Sequence, residues 1–489
     1  MKRQQRWQQR PAYCEGTAFR CAAESADEIC MPTVCFPPHA IAWNQAFRVI
    51  ALSLGGCLFA AAACAQQPVQ NRPATDHQPP PGQRLQLLPQ EQIPAPQPQP
   101  TLSLAELEQI ALHHNPSLGR AHAQVQIAKG NWVQVGLPPN PSVGYSGQQL
   151  GSGGLAEQHG VYVTQEIIRG GKLNLNRQAA AHEVARAEQE LVAQQYRVLT
   201  DVRSGYYRVL IAQRQIELSR NIAVMYGQAL ATTDKLLQAQ EISKLDLLDA
   251  QLDHENARVA LQNAQHSHAA AWRNLTAVVG QPELAPQALA GDVTLSAKKF
   301  DYQQTLQHLL TSSPEIAATT SEIERARWAY QRALVEHKGN VNLQALYNWQ
   351  DNGIGGRPDG AVVVDMPIPL WNKNQGGIVK AQGEVTLAEH NLARLELELQ
   401  QRLAPVFERY QNAAHQVQRM QTTILKLAQE SVDLSRKAYQ AGELSYLDML
   451  DAQNKYSQAN STYLDALREL RLAEAEMEGF LLQNSLQAK

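Results

Sequence analysis

The chain has 489 residues, a formal net charge of -3 and a pI near 6.5, with 18% charged and 6% aromatic residues. No strongly basic field is available to neutralise phosphates, which argues against nucleic acid as a partner. Ala, Gln and Leu dominate, a composition that favours long helices, and all six cysteines precede Gln66, so the rest of the chain offers no disulfide and no thiolate metal site.

Val49 to Ala65 is an apolar, Ala- and Leu-rich run preceded by Arg48 and ending Ala63-Cys64-Ala65, a small-residue pattern suited to signal-peptidase cleavage. Residues 1–65 therefore read as leader and export signal. A single transmembrane anchor is one alternative, against which the run is short and interrupted by glycine. A lipid-modified N-terminus at Cys64 or Cys57 is another, although neither preceding tripeptide makes a good lipobox. Residues 1–30 resemble no signal, which makes Met31 a candidate start of translation.

Residues 66–100 are rich in Pro and Gln, lack apolar periodicity and read as an extended tether. Ser103 and Glu106 form a capping-box pattern opening a short helix that stops at Asn115-Pro116. A second helix runs to Gly136, where Leu137 to Pro141 (LPPNP) breaks it.

From there the chain repeats one order of elements, with units expected at 101–290 and 291–489: strand, Gly-rich connection, strand, very long helix, hairpin, return helix. Gln240 to Gln251 (QEISKLDLLDAQ) reappears as Gly442 to Gln453 (GELSYLDMLDAQ), with eight of twelve positions identical at an offset of 202 residues. Such a unit is too long for a short solenoid repeat and marks two copies of one supersecondary block.

The first copy has strands near Ser142 to Leu150 and Val161 to Arg169; the second has Val341 to Gln350 and Ala361 to Leu370. Val341, Leu343, Ala345, Tyr347 and Trp349 alternate with mostly polar residues, the period of a sheet with one apolar face. About ten such residues with aromatics at strand ends suit a lipid-facing barrel strand, and the edge of a soluble sandwich is the alternative. Four strands cannot close a barrel, so a membrane reading requires several copies of the chain.

Leu173 to Gln238 and Asn374 to Gln440 contain no proline except Pro405 and, after the opening turns, little glycine. About 65 helical residues at 1.5 Å each span on the order of 100 Å. Small and apolar residues from Ala179 to Val192 suit close side-by-side helix packing. Gly170-Gly171 and Gly376-Gly377 read as the turns that start these helices.

This doubled order, with Asn115-Pro116, the LPPNP break, the strand-to-helix passage Ile368 to Gly377 (IPLWNKNQGG) and the two hairpin motifs, resembles the TolC family of outer-membrane efflux channels over about residues 101–485. Within it the likeness is to the CzcC type, the outer-membrane components of heavy-metal exporters. The resemblance implies a mainly α protein with a transmembrane β-barrel portion. Three copies would form a twelve-stranded barrel in the outer membrane and a twelve-helix tunnel across the periplasm. A periplasmic adaptor and an inner-membrane pump of the resistance-nodulation-division type would be its partners, with no cofactor.

By the same resemblance the hairpin tips, Gln240, Glu241, Ile242, Ser243, Gly442, Glu443, Leu444 and Ser445, are candidate adaptor contacts. Gly442 permits a left-handed turn, and Gln240 in its place puts the equivalence of the two turns in question. Ser243 and Ser445 also read as N-caps, with Asp246 and Asp448 completing the capping signature. Asp448 and Asp451, three residues apart on one helix face, match the family's aspartates around the periplasmic aperture. Crowded carboxylates at a mouth attract cations, while the simpler role is to complement the helix dipole.

His113-His114 and the pair His266 and His268 read as surface residues, since side chains two apart on a helix diverge. No phosphate loop, nucleophile elbow or triad accompanies them, which argues against an enzyme. The expected function is a passive exit duct for small solutes, heavy-metal cations foremost. A multidrug or protein-secretion duct, and a periplasmic coiled-coil scaffold that does not conduct, are the alternatives.

Overall fold

A computed structural model describes residues 102–150, 156–294, 298–351 and 357–487. The leader, the tether, Cys57 and Cys64 lie outside the described residues.

Helix α1 (Leu104–His114) opens with the expected reciprocal cap: the Ser103 N–H donates to Glu106 Oε2 at 2.8 Å and Ser103 Oγ accepts from the Glu106 N–H at 3.3 Å. Asn115 ends it and caps α2 (Pro116–Gln134), whose first residue is a proline with no amide to leave unsatisfied. Strands β1 (Ser142–Leu150) and β2 (Ala156–Ile167) follow, then α3 (Lys172–Gln238) and α4 (Lys244–Val279). The order recurs with α5 (Tyr302–Ser312), α6 (Pro314–Leu334), β3 (Val341–Asp351), β4 (Asp359–Asp365), α7 (Gln375–Arg419), α8 (Leu425–Gln440) and α9 (Tyr446–Glu478).

Several boundaries differ from expectation, for local reasons. Strand β2 starts earlier because its ladder with β1 carries on through polar residues, Gln148 opposite Gln158, which give no hydrophobic signal. Strand β4 stops at Asp365, not Leu370, because Pro367 and Pro369 cannot donate to a ladder. Gly376 and Gly377 lie inside the first turn of α7, and the left-handed residue that starts this helix is Asn374 (φ 63). In the first copy Gly170 and Gly171 take that role (φ 76 and 69).

Helix α3 runs 67 residues without interruption, about 100 Å at the helical rise. Its counterpart is divided by a π-helical turn, Met420–Ile424, between α7 and α8. There Thr422 Oγ1 donates back to the Gln418 carbonyl at 2.8 Å within a run of three β-branched residues, which disfavours regular α geometry.

The four strands form one antiparallel sheet in the order β1-β2-β3-β4. Beside it the helical neighbours run α2, α3, α6, α7; towards the hairpins they run α4, α3, α9, α8. The main core lies midway along the rod. Val198, Val202 and Tyr206 of α3 pack there with Trp272 and Leu275 of α4, Leu403 and Phe407 of α7 and Leu467 and Leu470 of α9, joined by Leu107 of α1 and Leu309 of α5.

Candidate functional site

The register of the sheet gathers most of its exposed apolar residues on one face, with Tyr162, Leu346 and Val363 on the other. Val143 lies opposite Val163, which lies opposite Ala345 and then Val362; Tyr145, Val161 and Tyr347 form the next row. These side chains are exposed: Val143 is 74% accessible, Tyr145 59% and Val362 71%. The other face carries Ser142, Thr164, Gln344, Asn342, Glu166 and Asp365. A soluble sheet buries its apolar face, so one that exposes it to the surroundings while keeping polar groups behind it suits contact with lipid. Exposed Ile368, Leu370 and Trp371, the last 87% accessible, follow β4 at the helical rim. At the far rim Tyr145 and Trp349 lie with ring centroids 6.3 Å apart, so aromatic rings bracket the apolar band.

At the other end the two hairpin tips sit side by side. Gln240 takes φ 61 and Gly442 φ 76, so the tips share one backbone turn despite the different residue. In each, the left-handed residue donates its N–H three residues back (Gln240 to Leu237, 2.9 Å; Gly442 to Tyr439, 3.1 Å) and the next N–H reaches five back (Glu241 to Leu236, 3.0 Å; Glu443 to Ala438, 2.9 Å). This is the Schellman closure of a helix C-terminus. Gln240, Glu241, Ser243, Gly442, Glu443 and Ser445 are exposed, while Ile242 and Leu444 are half-buried.

Both serines are caps. The Ser243 N–H donates to Asp246 Oδ2 at 3.0 Å and Ser243 Oγ accepts from the Asp246 N–H at 3.3 Å. Ser445 Oγ donates to Asp448 Oδ2 at 2.6 Å and accepts from the Asp448 N–H at 3.3 Å. Asp448 and Asp451 are both exposed, and Asp451 Oδ2 pairs with Lys455 Nζ at 2.5 Å.

The hairpins are tied together by contacts that no local pattern announces. The Tyr446 hydroxyl donates to Asp253 Oδ2 at 3.0 Å, the Tyr226 hydroxyl donates to Asn454 Oδ1 at 2.8 Å, and Thr233 Oγ1 lies 3.1 Å from the Tyr439 hydroxyl. Burial, reinforced by Asp253, pushes the Tyr446 phenol up, and burial pushes Tyr226 up to about 12, so both remain protonated donors in neutral solution. Ala229, Ala250, Tyr439, Tyr446 and Met449 form a small separate core at this end.

Between the two ends, α2, α3, α6 and α7 line a concave cavity of about 780 Å³ whose wall includes Arg120, Arg186, Glu315, Glu322, Arg394 and Arg402. Glu315 accepts from Arg197 and Arg402, each at 2.9 Å, so most of this wall is paired charge. Burial pushes the Glu322 carboxyl up, yet hydrogen bonds from Arg325 and Arg186 hold it below the usual carboxylate range.

Among the described residues no cluster of three metal-ligating side chains occurs, and no helix is long and apolar enough to cross a membrane. His113, His114 and His266 are exposed as expected. His268 departs from the surface reading: it is half-buried, its Nε2 has no partner, and burial lowers its pKa.

A rod of paired long helices carrying a small sheet with an exposed apolar face is the fold of outer-membrane channel subunits. A crystal structure of CusC shares it, with TM-score 0.66 and 20% identity, covering 78% of this chain and 92% of that one. The sequence model for outer membrane efflux proteins matches residues 107–281 and 305–481, and the chain belongs to that family. It is a protein of the outer membrane with a long periplasmic portion. Among curated relatives, the cobalt-zinc-cadmium resistance protein CzcC of Cupriavidus metallidurans is 24% identical over 383 residues, 78% of this chain and 90% of that protein. The cation efflux system protein CusC of Escherichia coli K12 is 23% identical over 382 residues, 73% of this chain and 81% of that protein.

Proposed function

We propose that this chain is the outer-membrane duct of a three-part exporter, closed into a ring by three copies of itself and passing heavy-metal cations handed on by an inner-membrane pump through a periplasmic adaptor. The observation that carries the ring is the direction of the unpartnered apolar stripes. On α4 the residues that pack towards α3 include Ala250, Ala257 and Ala264, and the exposed Leu245, Leu248, Leu252 and Val259 stand on the opposite side of the helix. On α8 Val432 and Tyr439 are buried while Leu427 and Leu434 are exposed on the reverse side. Each stripe points sideways, out of the layer. The same holds beside the sheet, for Ile127 on α2 and for Val379 and Leu397 on α7.

The outer strands β1 and β4 each present one unpaired edge on the same two sides as these helices. Such edges invite a further strand, and first-copy edges meeting second-copy edges head to tail close a ring. Three copies supply twelve strands and twelve tunnel helices, as the resemblance to TolC-type channels implies. The sheet's apolar face then meets lipid and its polar face lines water.

The metal cargo rests on the names of the relatives CzcC and CusC, and it comes to this chain by likeness. Adaptor docking is assigned to Gln240, Glu241, Ile242, Ser243, Gly442, Glu443, Leu444 and Ser445, which combine exposed polar groups with half-buried Ile242 and Leu444 at the free end. Asp448 and Asp451 stand just above them and would ring the mouth.

Paired cysteines test the ring, and the absence of cysteine after Cys64 makes the experiment clean. A scan placing one cysteine at 142–148 on β1 and one at 359–365 on β4 is expected to give covalent trimers in at least one register. Only monomers across the whole scan, in protein extracted from outer membranes, would refute strand pairing between copies.

A further inference from the structure

The two tips differ most, in charge, at a position two helical turns into the return helix. With the repeat offset of 202, Asp246, Asp249 and Asp253 of α4 correspond to Asp448, Asp451 and Lys455 of α9. Two carboxylates are kept in both copies, and the third position changes from an acid to a base. The surroundings match this divergence. Asp253 accepts the Tyr446 hydroxyl at 3.0 Å and so belongs to the link between the hairpins. Lys455 makes no such link: its ammonium reaches back one turn to Asp451 at 2.5 Å, with the side chains 69% and 62% accessible.

The placement of α9 gives that pair a consequence. Helix α9 lies between α3 and α8, so neither of its sides is a free edge of the layer. Asp448, Asp451, Lys455 and Gln458 are all exposed and, at spacings of three, four and three, fall on one line along the helix. A stripe on an inner helix of the layer faces one of its two broad surfaces. In a closed ring one of those surfaces is the water-filled bore, the face to which the mouth aspartates are assigned.

Resting on that reading of the mouth, we infer that Lys455 is a specificity-determining residue: it neutralises Asp451 and sets the field that entering ions meet. A ring of three copies would then present six carboxylates and three ammonium groups, in place of the nine carboxylates that the first-copy sequence would have supplied. Cations are still favoured but held less strongly, which suits a conduit that must release what enters it. Both groups are solvated, so the pair contributes little to folding, and its effect lies in the field within the bore.

Single-channel reversal potentials in a potassium chloride gradient test this, with native mass confirming that each variant assembles. Lys455→Gln is expected to raise the cation-to-anion permeability ratio roughly two- to five-fold, and Lys455→Asp further, with the difference shrinking near 1 M salt, where the Debye length is about 3 Å. Asp451→Asn should lower the ratio. The double variant Asp451→Asn with Lys455→Gln, which removes one charge of each sign, should return close to the wild-type value, and Lys455→Arg should keep it. An unchanged ratio in Lys455→Gln while Asp451→Asn still shifts it overturns the role of Lys455 and leaves the mouth standing. If neither variant moves the ratio in a conducting trimer, the stripe does not face the bore and the mouth assignment fails with it. A wild-type protein that does not conduct overturns both.

Discussion

The two hairpin tips are built on the same turn and put their acids to different ends. At the first, Asp246 closes a reciprocal cap with Ser243 and Asp253 holds the Tyr446 hydroxyl of the other hairpin. At the second, Asp448 caps through Ser445 yet stays exposed, and Asp451 stands in solvent beside Lys455. The first return helix also presents Leu245, Leu248, Leu252 and Val259 sideways, whereas the second exposes one large apolar residue near its tip, Leu447, beside its charged stripe. Duplication thus preserved the backbone device, a left-handed residue followed by a capped helix, and left the side chains around it free to divide the labour. The first-copy acid Asp253 serves the tie between the hairpins, and on the proposed reading the second-copy acids Asp448 and Asp451 serve the mouth.

The sharpest way to break that contrast is to place a charge on each tip in turn. Leu248→Lys is expected to dissociate the ring, since burying a leucine at a seam contributes about 2 kcal/mol and an unpaired ammonium there costs more. Leu447→Lys, on the inner helix, should leave the native mass of the trimer unchanged. A smaller effect comes from the tie: Tyr446→Phe leaves Asp253 without its donor and should destabilise the paired tips by about 1 kcal/mol. Hydrogen exchange should then be faster over 229–253 and 439–454 and unchanged in the main core. The smallest concerns the shared turn. Gly442→Ala should cost about 1 kcal/mol because a Cβ is strained at φ 76, while Gln240→Gly should stabilise its tip by no more than about 1 kcal/mol. If Gly442→Ala is harmless in chemical denaturation, the two turns are not equivalent in energy.

Much of this was legible in the sequence because the signals are local and occur twice. The capping boxes at Ser103 and Ser243, the Asn115-Pro116 junction and the strand alternation from Val341 each state their structure within a few residues. Gln240 in place of glycine leaves the equivalence of the two turns open in the sequence, and the backbone shows one turn in both. The π turn at Met420–Ile424 was not legible, since three β-branched residues in a long helix usually cost only propensity. The left-handed start at Asn374 is masked in the sequence by the neighbouring Gly376 and Gly377, which carry the more familiar signal.

The site was less legible than the fold. Lys455 lies four residues after Asp451, a spacing that marks an ion pair on any exposed helix, and aligning the two copies would have singled it out. The leucine stripe on α4 also leaves a trace, at intervals of three, four and seven residues, opposite the alanines that face α3. The bond from Tyr446 to Asp253 spans 193 residues, and nothing in either segment alone announces it.

On the proposed reading, the exposed sheet and the sideways stripes belong to a conducting ring. Planar-bilayer recording of detergent-extracted protein whose native mass has been determined tests this most directly. A trimer with discrete, cation-selective openings is the expected result; a monomer or dimer that stays soluble without detergent and never conducts would contradict it.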